Sequence, residues 1–433
     1  MKKTIQIVLF ASLSFASLGS VASGQATPAA VGAAPYQGFQ LPKAKGSLGY
    51  AVSASESLTT GYYQSQNRSN TAEFTNISGD LAYLSSSAVH PFSLIYSGGF
   101  LGNTSGQRSS FFQNLAASQV LLKGPWNFVV SDSLNYLPNT PTVGVSGIAG
   151  VGDLGVPPVQ IGPVLGQGVL IENAKRFSNT TVASVERRIT GKTFVQVSGS
   201  LSLQRFIGSG SEAGLNSTQK TASIGPTHRI DARNTVGANY SYSSYTYARS
   251  QYGFVSQGAN LTYHRLWSRK LSTSLSLGPQ RTSSSNGAIS KPSTNLAANL
   301  AANYAGEGYS GSLTYFRGVN NGSGAIQGAL SDSVSASAGR MFGRSWTGSV
   351  LTNYTRTTSL PLLQVLPFST HTVVGGVQVS RAISRSFSAY ASYTALKQSF
   401  RGTGAALGVF SGLSQIVGVG LTYAPGSKHF GRL

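Results

Sequence analysis

The chain has 433 residues, no cysteine and a formal net charge of +21 at pH 7, yet only 10% of its residues are charged, against about 25% in an ordinary soluble protein. The missing cysteines exclude disulfides, thiol nucleophiles, cysteine-held metals and a lipid anchor on cysteine. A charge this positive would suggest nucleic acid in a cytosolic protein, but the basic residues are dispersed at segment ends rather than clustered, and the chain opens on an export signal.

That signal is Lys2 and Lys3, the apolar run from Ile5 to Leu18, and small residues through Ala26. Residues 1–26 read as a secretory signal peptide. Residues 27–45 read as a flexible periplasmic arm too short for a plug. No later stretch has the roughly 20 consecutive apolar residues that a spanning helix needs.

From residue 46 the chain goes up a strand and comes back nine times. Strand cores are expected near 47–63, 73–85, 91–101, 110–122, 126–137, 177–189, 193–206, 217–230, 235–247, 254–267, 271–282, 293–305, 308–318, 330–342, 346–357, 370–383, 386–399 and 413–424. In the second half the charged turns RRITGKT, RIDARNT, LWSRKLS, YAGEGYS, MFGRSWT and AISRSFS recur about every 40 residues, the mark of one supersecondary unit used repeatedly. Joins after even strands are short and joins after odd strands are long. Bacterial barrels have that asymmetry, with turns in the periplasm, loops outside and an even strand count.

Apolar and small polar residues alternate within the strands. Val195, Val197, Leu201 and Leu203 share one parity, while Gln196, Ser198, Ser200, Ser202 and Gln204 share the other. Segments near 12 residues exceed the five or six of globular sheets and suit a tilted membrane strand. The expected fold is all-β: a transmembrane antiparallel up-and-down β-barrel of about 18 strands over 46–424, with 16 or 20 if one hairpin is merged or missed. Residues 138–175 form a long Gly/Pro-rich external loop, and residues 425–433 a periplasmic tail.

The mature chain resembles the uncharacterised Gram-negative outer-membrane β-barrels of porin type, in strand pairs such as VSQGANLTYHRLWSRKLSTSLSLGPQ and SVSASAGRMFGRSWTGSVLTNYTRTTSL. The resemblance implies a barrel in the outer membrane, inserted by the assembly machinery of that membrane, and implies little about the solute. One departure is the C-terminus, which ends Phe430, Gly431, Arg432, Leu433 rather than on an aromatic residue.

Parity places cations at both edges of the wall. Arg205, Arg281, Arg317, Arg356 and Lys397 stand on the apolar parity of upward strands. Ten residues of tilted strand rise roughly 25 Å, the height of an apolar band, so this set is expected at the outer leaflet against lipid, including lipopolysaccharide. On downward strands Arg187, Arg265, Arg340 and Arg381 each precede a large apolar residue by two and are expected at inner-leaflet headgroups, snorkelling to phosphate. Generic interfacial solubility and lumen-facing arginines that set anion selectivity are the competing readings.

The inward parity is mostly Ser, Thr, Asn and Gln, which suits small polar solutes. Phe194, Phe206, Tyr245, Tyr247, Phe316 and Tyr390 also face inward and form a candidate sugar-stacking track, or else packing and girdle residues. The nearly uncharged loop, with Val151, Asp153, Val156 and Ile161, is a candidate constriction, a subunit contact in a homo-oligomer, or a cap. The histidines 90, 228, 264, 371 and 429 have no metal-ligand spacing, and G-x-S-x-G, H-E-x-x-H and P-loop motifs are absent. No cofactor or metal is expected. The leading expectation is a passive channel, ahead of a structural or binding barrel associated with polysaccharide export, and then a barrel enzyme acting on lipids.

Overall fold

In a computed structural model the protein is described over residues 46–60, 71–85, 87, 89–103, 109–137, 175–207, 216–248, 253–284, 292–320, 328–360, 368–402, 411–425 and 428–430. The expected signal peptide, arm and loop residues 138–174, with Val151, Asp153, Val156 and Ile161, lie outside the described residues.

The described chain is strand throughout. In order the strands are β1 (Gly46–Thr60), β2 (Thr71–Ser85), β3 (Phe92–Asn103), β4 (Ser110–Lys123), β5 (Trp126–Leu137), β6 (Lys175–Arg188), β7 (Thr193–Ile207), β8 (Ser217–Arg229) and β9 (Asn234–Tyr247). They continue as β10 (Gly253–Leu266), β11 (Leu271–Ser284), β12 (Ser293–Gly306), β13 (Tyr309–Asn320), β14 (Ala329–Phe342), β15 (Trp346–Ser359), β16 (Phe368–Ala382), β17 (Phe387–Gly402), β18 (Gly412–Tyr423) and β19 (Lys428–Phe430). Each strand from β1 to β17 pairs antiparallel with the next, and β18 pairs with β1 from Val52↔Tyr423 to Thr60↔Gln415, which closes the wall. β19 continues the last strand, pairing Lys428–Phe430 with Gly46–Leu48. The result is the expected closed 18-strand barrel, with β1 beginning and β18 ending at the same rim. Strands about 4.8 Å apart and tilted near 40° give a backbone radius of roughly 18 Å.

The short turns explain why the strands reverse where they do. Thr190 Oγ1 accepts the backbone N–H of Lys192 (3.2 Å) and Thr193 (3.0 Å), and Ser268 Oγ accepts those of Lys270 and Leu271, both at 3.1 Å. Asp231 and Ser384 act in the same way at their turns. Each oxygen satisfies donors that the ladder has just released, the local bonding for which Ser, Thr and Asp favour turns. Where no such residue stands, Gly308 and Gly343 take the positive φ that the reversal needs.

The faces follow the alternation. Val52, Ile77, Val130, Val197, Leu261, Leu275, Leu300, Val350, Val377 and Val419 are exposed large apolar residues around the circumference. Buried polar residues such as Ser53, Asn76, Ser223, Ser243, Asn260, Ser333, Thr372 and Gln398 occupy the opposite parity. A water-soluble barrel or sandwich would invert this pattern. Apolar outside and polar inside is the pattern of an outer-membrane barrel.

Candidate functional site: the lumen and its rims

The inward face is held together by hydroxyls. Residues directly opposite each other in the ladder bond side chain to side chain: Thr180 with Ser202 (3.0 Å), Ser198 with Ser223 (2.7 Å), Thr221 with Ser243 (3.0 Å) and Ser312 with Ser337 (2.7 Å). Such pairs desolvate hydroxyls without charge, leaving a smooth, neutral, hydrogen-bonding lining.

Among the described strand side chains the inward parity carries charge only at Asp80, Glu186, Arg188 and Arg229. Arg229 lies over the ring of inward Phe194, 5.9 Å from its centroid, near the short-turn end. Sequence reasoning missed Arg188 and Arg229, although one step of parity from outward Arg187 would have found the first.

On one side of the lumen the wall folds inward. β12 pairs with β13 only from Gly306↔Tyr309 to Ala298↔Arg317, whereas β13 continues its pairing with β14 to Asn320↔Ala329. Beyond Arg317 the β13–β14 tip leaves β12. Val319 N–H donates to Gln280 Oε1 of β11 (3.0 Å), and Gln280 Nε2 donates to Ser256 Oγ of β10 (2.8 Å).

The tip packs Val319, and Leu360 with it, onto Tyr245, Tyr247 and Phe254, all nearly inaccessible, with Leu330 alongside. Phe254 stacks on Tyr245 with centroids 4.3 Å apart and planes at 14°. Gly328 has φ +79°, and a Cβ there would sit 2.6 Å from Phe254 Cε1, so only glycine fits the tip this close to the wall. Alternation alone places Val319 on the lipid face. Its consecutive burial with Gly318 and Asn320 is the departure from period two that marks the fold-in.

Beside this tip is a shallow recess lined by residues including Ser243, Ser256, Asn260, Ser276, Asn299 and Phe316. Asn260 faces Asn239 across the ladder, and among the described residues Asn260 Oδ1 and Asn239 Nδ2 have no hydrogen-bond partner. Both atoms are buried in the wall, while the hydroxyls and amides of Ser243, Ser256, Ser276 and Asn299 give the recess a hydrogen-bonding lining, with Arg317 at its border.

Of the expected lumen aromatics, Phe206, Tyr245, Tyr247, Phe316 and Tyr390 are buried on the inward parity, and Phe194 is half-buried. The tip covers Tyr245 and Tyr247, and the Tyr390 ring lies over Gly420. Phe316 borders the recess.

The expected inner-rim arginines all lie on the outward parity, each over an aromatic ring. Arg187 is 5.0 Å from the Trp126 centroid, Arg265 is 3.9 Å from Trp267, and Arg381 is 5.2 Å from Trp346. Arg340 lies between Tyr309 (4.7 Å) and Phe342 (4.9 Å). The three tryptophans of the chain are thus all at one rim under a guanidinium, a geometry that holds a cation at a headgroup boundary. Trp126, Tyr309 and Trp346 face their arginines directly across the ladder, so sequence order alone did not reveal those partners.

The other set, Arg205, Arg281, Arg317, Arg356 and Lys397, is also outward, toward the loop end of the strands. Arg205 donates to the carbonyls of Gln204 (3.0 Å) and Ser217 (2.8 Å), and Arg317 pairs with Asp332 at 2.7 Å. A further outward polar group was missed: Asp132 accepts from Thr181 Oγ1 (2.6 Å) and Asn179 Nδ2 (3.1 Å).

No protein-family model matches the chain, and no curated protein does at the level of sequence. Among solved structures it is similar to Pseudomonas aeruginosa OpdQ, at 10% identity over 88% of this chain and 98% of that one, with a TM-score of 0.42. It is also similar to P. aeruginosa OccK2 (OpdF) in complex with glucuronate, at 9% identity over 87% and 97% with a TM-score of 0.43, and to P. aeruginosa OprD, at 11% over 88% and 95% with a TM-score of 0.41. Likeness at this level adds nothing to what the closed wall and its two faces show: the chain is a closed 18-strand β-barrel, apolar outside and polar inside, the pattern of an outer-membrane barrel.

Proposed function

We propose that the barrel is a passive outer-membrane channel for small neutral polar solutes, polyhydroxylated ones first. The observation that carries this reading is the segregation of charge. Of the twenty charged strand side chains among the described residues, sixteen lie on the lipid parity, while the lumen presents paired hydroxyls and amides with four charges. Such a lining replaces water around a neutral solute without favouring either ion sign. The β13–β14 tip narrows the loop-end mouth from one side, and the recess beside it, with Ser243, Ser256, Ser276 and Asn299, offers the bonds a hydroxylated solute would exchange for water. Phe316 supplies a stacking face there, the part of the aromatic track best placed to act.

The short-turn end belongs in the periplasm and the loop end outside. In this orientation the Arg187, Arg265, Arg340 and Arg381 belt meets inner-leaflet headgroups and the opposite cations meet the outer leaflet. A homo-oligomer belongs to the same proposal, and the polar group at Asp132 is the lipid-face surface it would use. Loop 138–175 is the remaining candidate for a constriction. Proteoliposome swelling tests the channel: neutral sugars should enter faster than singly charged sugar acids of equal size. Equal exclusion of both would overturn it.

A further inference from the structure

The sequence contains no Asp or Glu after Asp332. That last acid is held by Arg317. Yet Arg356, Lys397 and Arg401 follow on the lipid parity of β15 and β17, exposed and with no hydrogen bond or ion pair among the described residues. The register gathers them. Arg356 pairs with His371, His371 pairs with Ser399, and Lys397 and Arg401 flank Ser399 by two residues on either side. At a ladder spacing of about 4.8 Å and a rise of about 3.3 Å per residue, the three cations form a triangle with sides of roughly 12 to 13 Å, and His371 lies inside it. Tyr354 OH fixes His371 through Nδ1 at 2.9 Å.

Side chains of this length reach a common centre from such corners. The nearest outward acid beyond β18, Glu56, aligns with Ala391, six residues along β17 from Lys397 and so roughly 20 Å away. Asp332, opposite Arg356 across the ladder but bonded to Arg317, is the one acid beside the patch among the described residues, so Lys397 and Arg401 have no countercharge there and Arg356 shares one. Elsewhere on the same edge Arg205 and Arg317 have partners of their own, and Arg281 faces Gln257 and Thr294 with no cation beside it, so the clustering of cations is what separates this patch from the general ring.

We propose that Arg356, His371, Lys397 and Arg401 form a site for the phosphate of an anionic outer-leaflet glycolipid, with Arg356 and Arg401 donating paired N–H bonds, Lys397 adding charge and His371 a further donor. The inference rests on the outer-membrane orientation given above but not on conduction. The folded full chain in neutral detergent is titrated with bisphosphorylated lipid A, with the same lipid after enzymatic removal of its phosphates, and with inorganic phosphate, and bound lipid is read by native mass spectrometry.

Wild type should bind the bisphosphorylated lipid on the order of tenfold or more above the dephosphorylated one, and millimolar inorganic phosphate should not displace it. The triple variant R356Q/K397Q/R401Q should lose that preference, R356K/R401K should keep most of it, and R265Q, at the opposite rim, should keep all of it. Heat-modifiable migration confirms that each variant is folded, and unchanged sugar swelling by the triple variant separates this site from the channel. Equal binding of the two lipids by wild type, or full binding by the folded triple variant, overturns the proposal.

Discussion

Replacing Phe254 by alanine removes the ring on which the β13–β14 tip rests. Phe254 is 1% exposed, stacked on Tyr245, and packed with Tyr247, Val319 and Leu360. Truncating a buried phenylalanine costs about 3 to 5 kcal/mol. On the β9–β11 side the tip touches the wall through this cluster and through Gln280, while its ladder with β15 runs on to Ala329↔Ser359 and the ladders of β9, β10 and β11 remain intact, so the loss falls on the tip's hold on that side rather than on unfolding of the barrel. At about 1.4 kcal/mol per factor of ten, a loss of 3 kcal/mol makes the detached state about a hundredfold more frequent.

Two measurements read it. Single-channel records of F254A should show frequent excursions to a higher conductance, because the obstruction at the mouth is released. Hydrogen exchange should accelerate at Val319, whose N–H is held by Gln280, and at Leu360, whose N–H donates to the Gly328 carbonyl at 3.2 Å. Wild-type conductance together with unchanged exchange at both amides would refute the view that this cluster anchors the tip.

Three further outcomes follow from particular contacts. Asp332→Ala leaves Arg317 without its ion pair on the lipid face and should destabilise the barrel by roughly 1 to 2 kcal/mol in detergent denaturation, with most of the loss recovered in the double variant R317L/D332A. Asp231 sits in an exposed turn, and its carboxyl is held below the usual value, first by the Asn234 side-chain amide and then by the Arg233 and Asn234 backbone N–H groups. A depressed pKa means that this support is present above the unfolded value of about 3.9 and is lost as pH falls through the folded one. Refolding yields of wild type and D231N should therefore differ at pH 7 and converge in acid below about pH 4. Substituting Arg265 by glutamine removes the guanidinium stacked on Trp267 and should lower stability by about 0.5 to 2 kcal/mol in membranes, without altering ion selectivity, because the residue is outside the lumen.

The wall was legible in the sequence because a membrane barrel repeats one simple instruction. Alternation such as Leu271, Leu275 and Leu277 against Ser272, Ser274 and Ser276 fixes both strand and facing, and turn residues such as Thr190, Asp231 and Ser268 fix where each strand ends. All eighteen spanning strands fall on their expected stretches. What alternation could not supply is information carried between strands. Trp126 under Arg187 depends on which residues the ladder sets opposite. The Asp132–Asn179–Thr181 group joins residues more than forty positions apart. The inward tip needs Gly328 against Phe254 and Val319 against Gln280, contacts between separate segments that leave the sequence alternation at Gly318–Val319–Asn320 unbroken.

The central claim is that the hydroxyl-lined parity faces water through which solutes pass. Asn299 and Leu300 are neighbours on β12, the first lining the recess and the second outward, and the native chain contains no cysteine to interfere. Single-cysteine variants N299C and L300C, reconstituted in planar bilayers, would each be treated with a small charged, water-soluble thiol reagent. The account predicts that the current through N299C changes within seconds to minutes while that through L300C does not. The reverse pattern, or a wild-type barrel that carries no current at all, would contradict it.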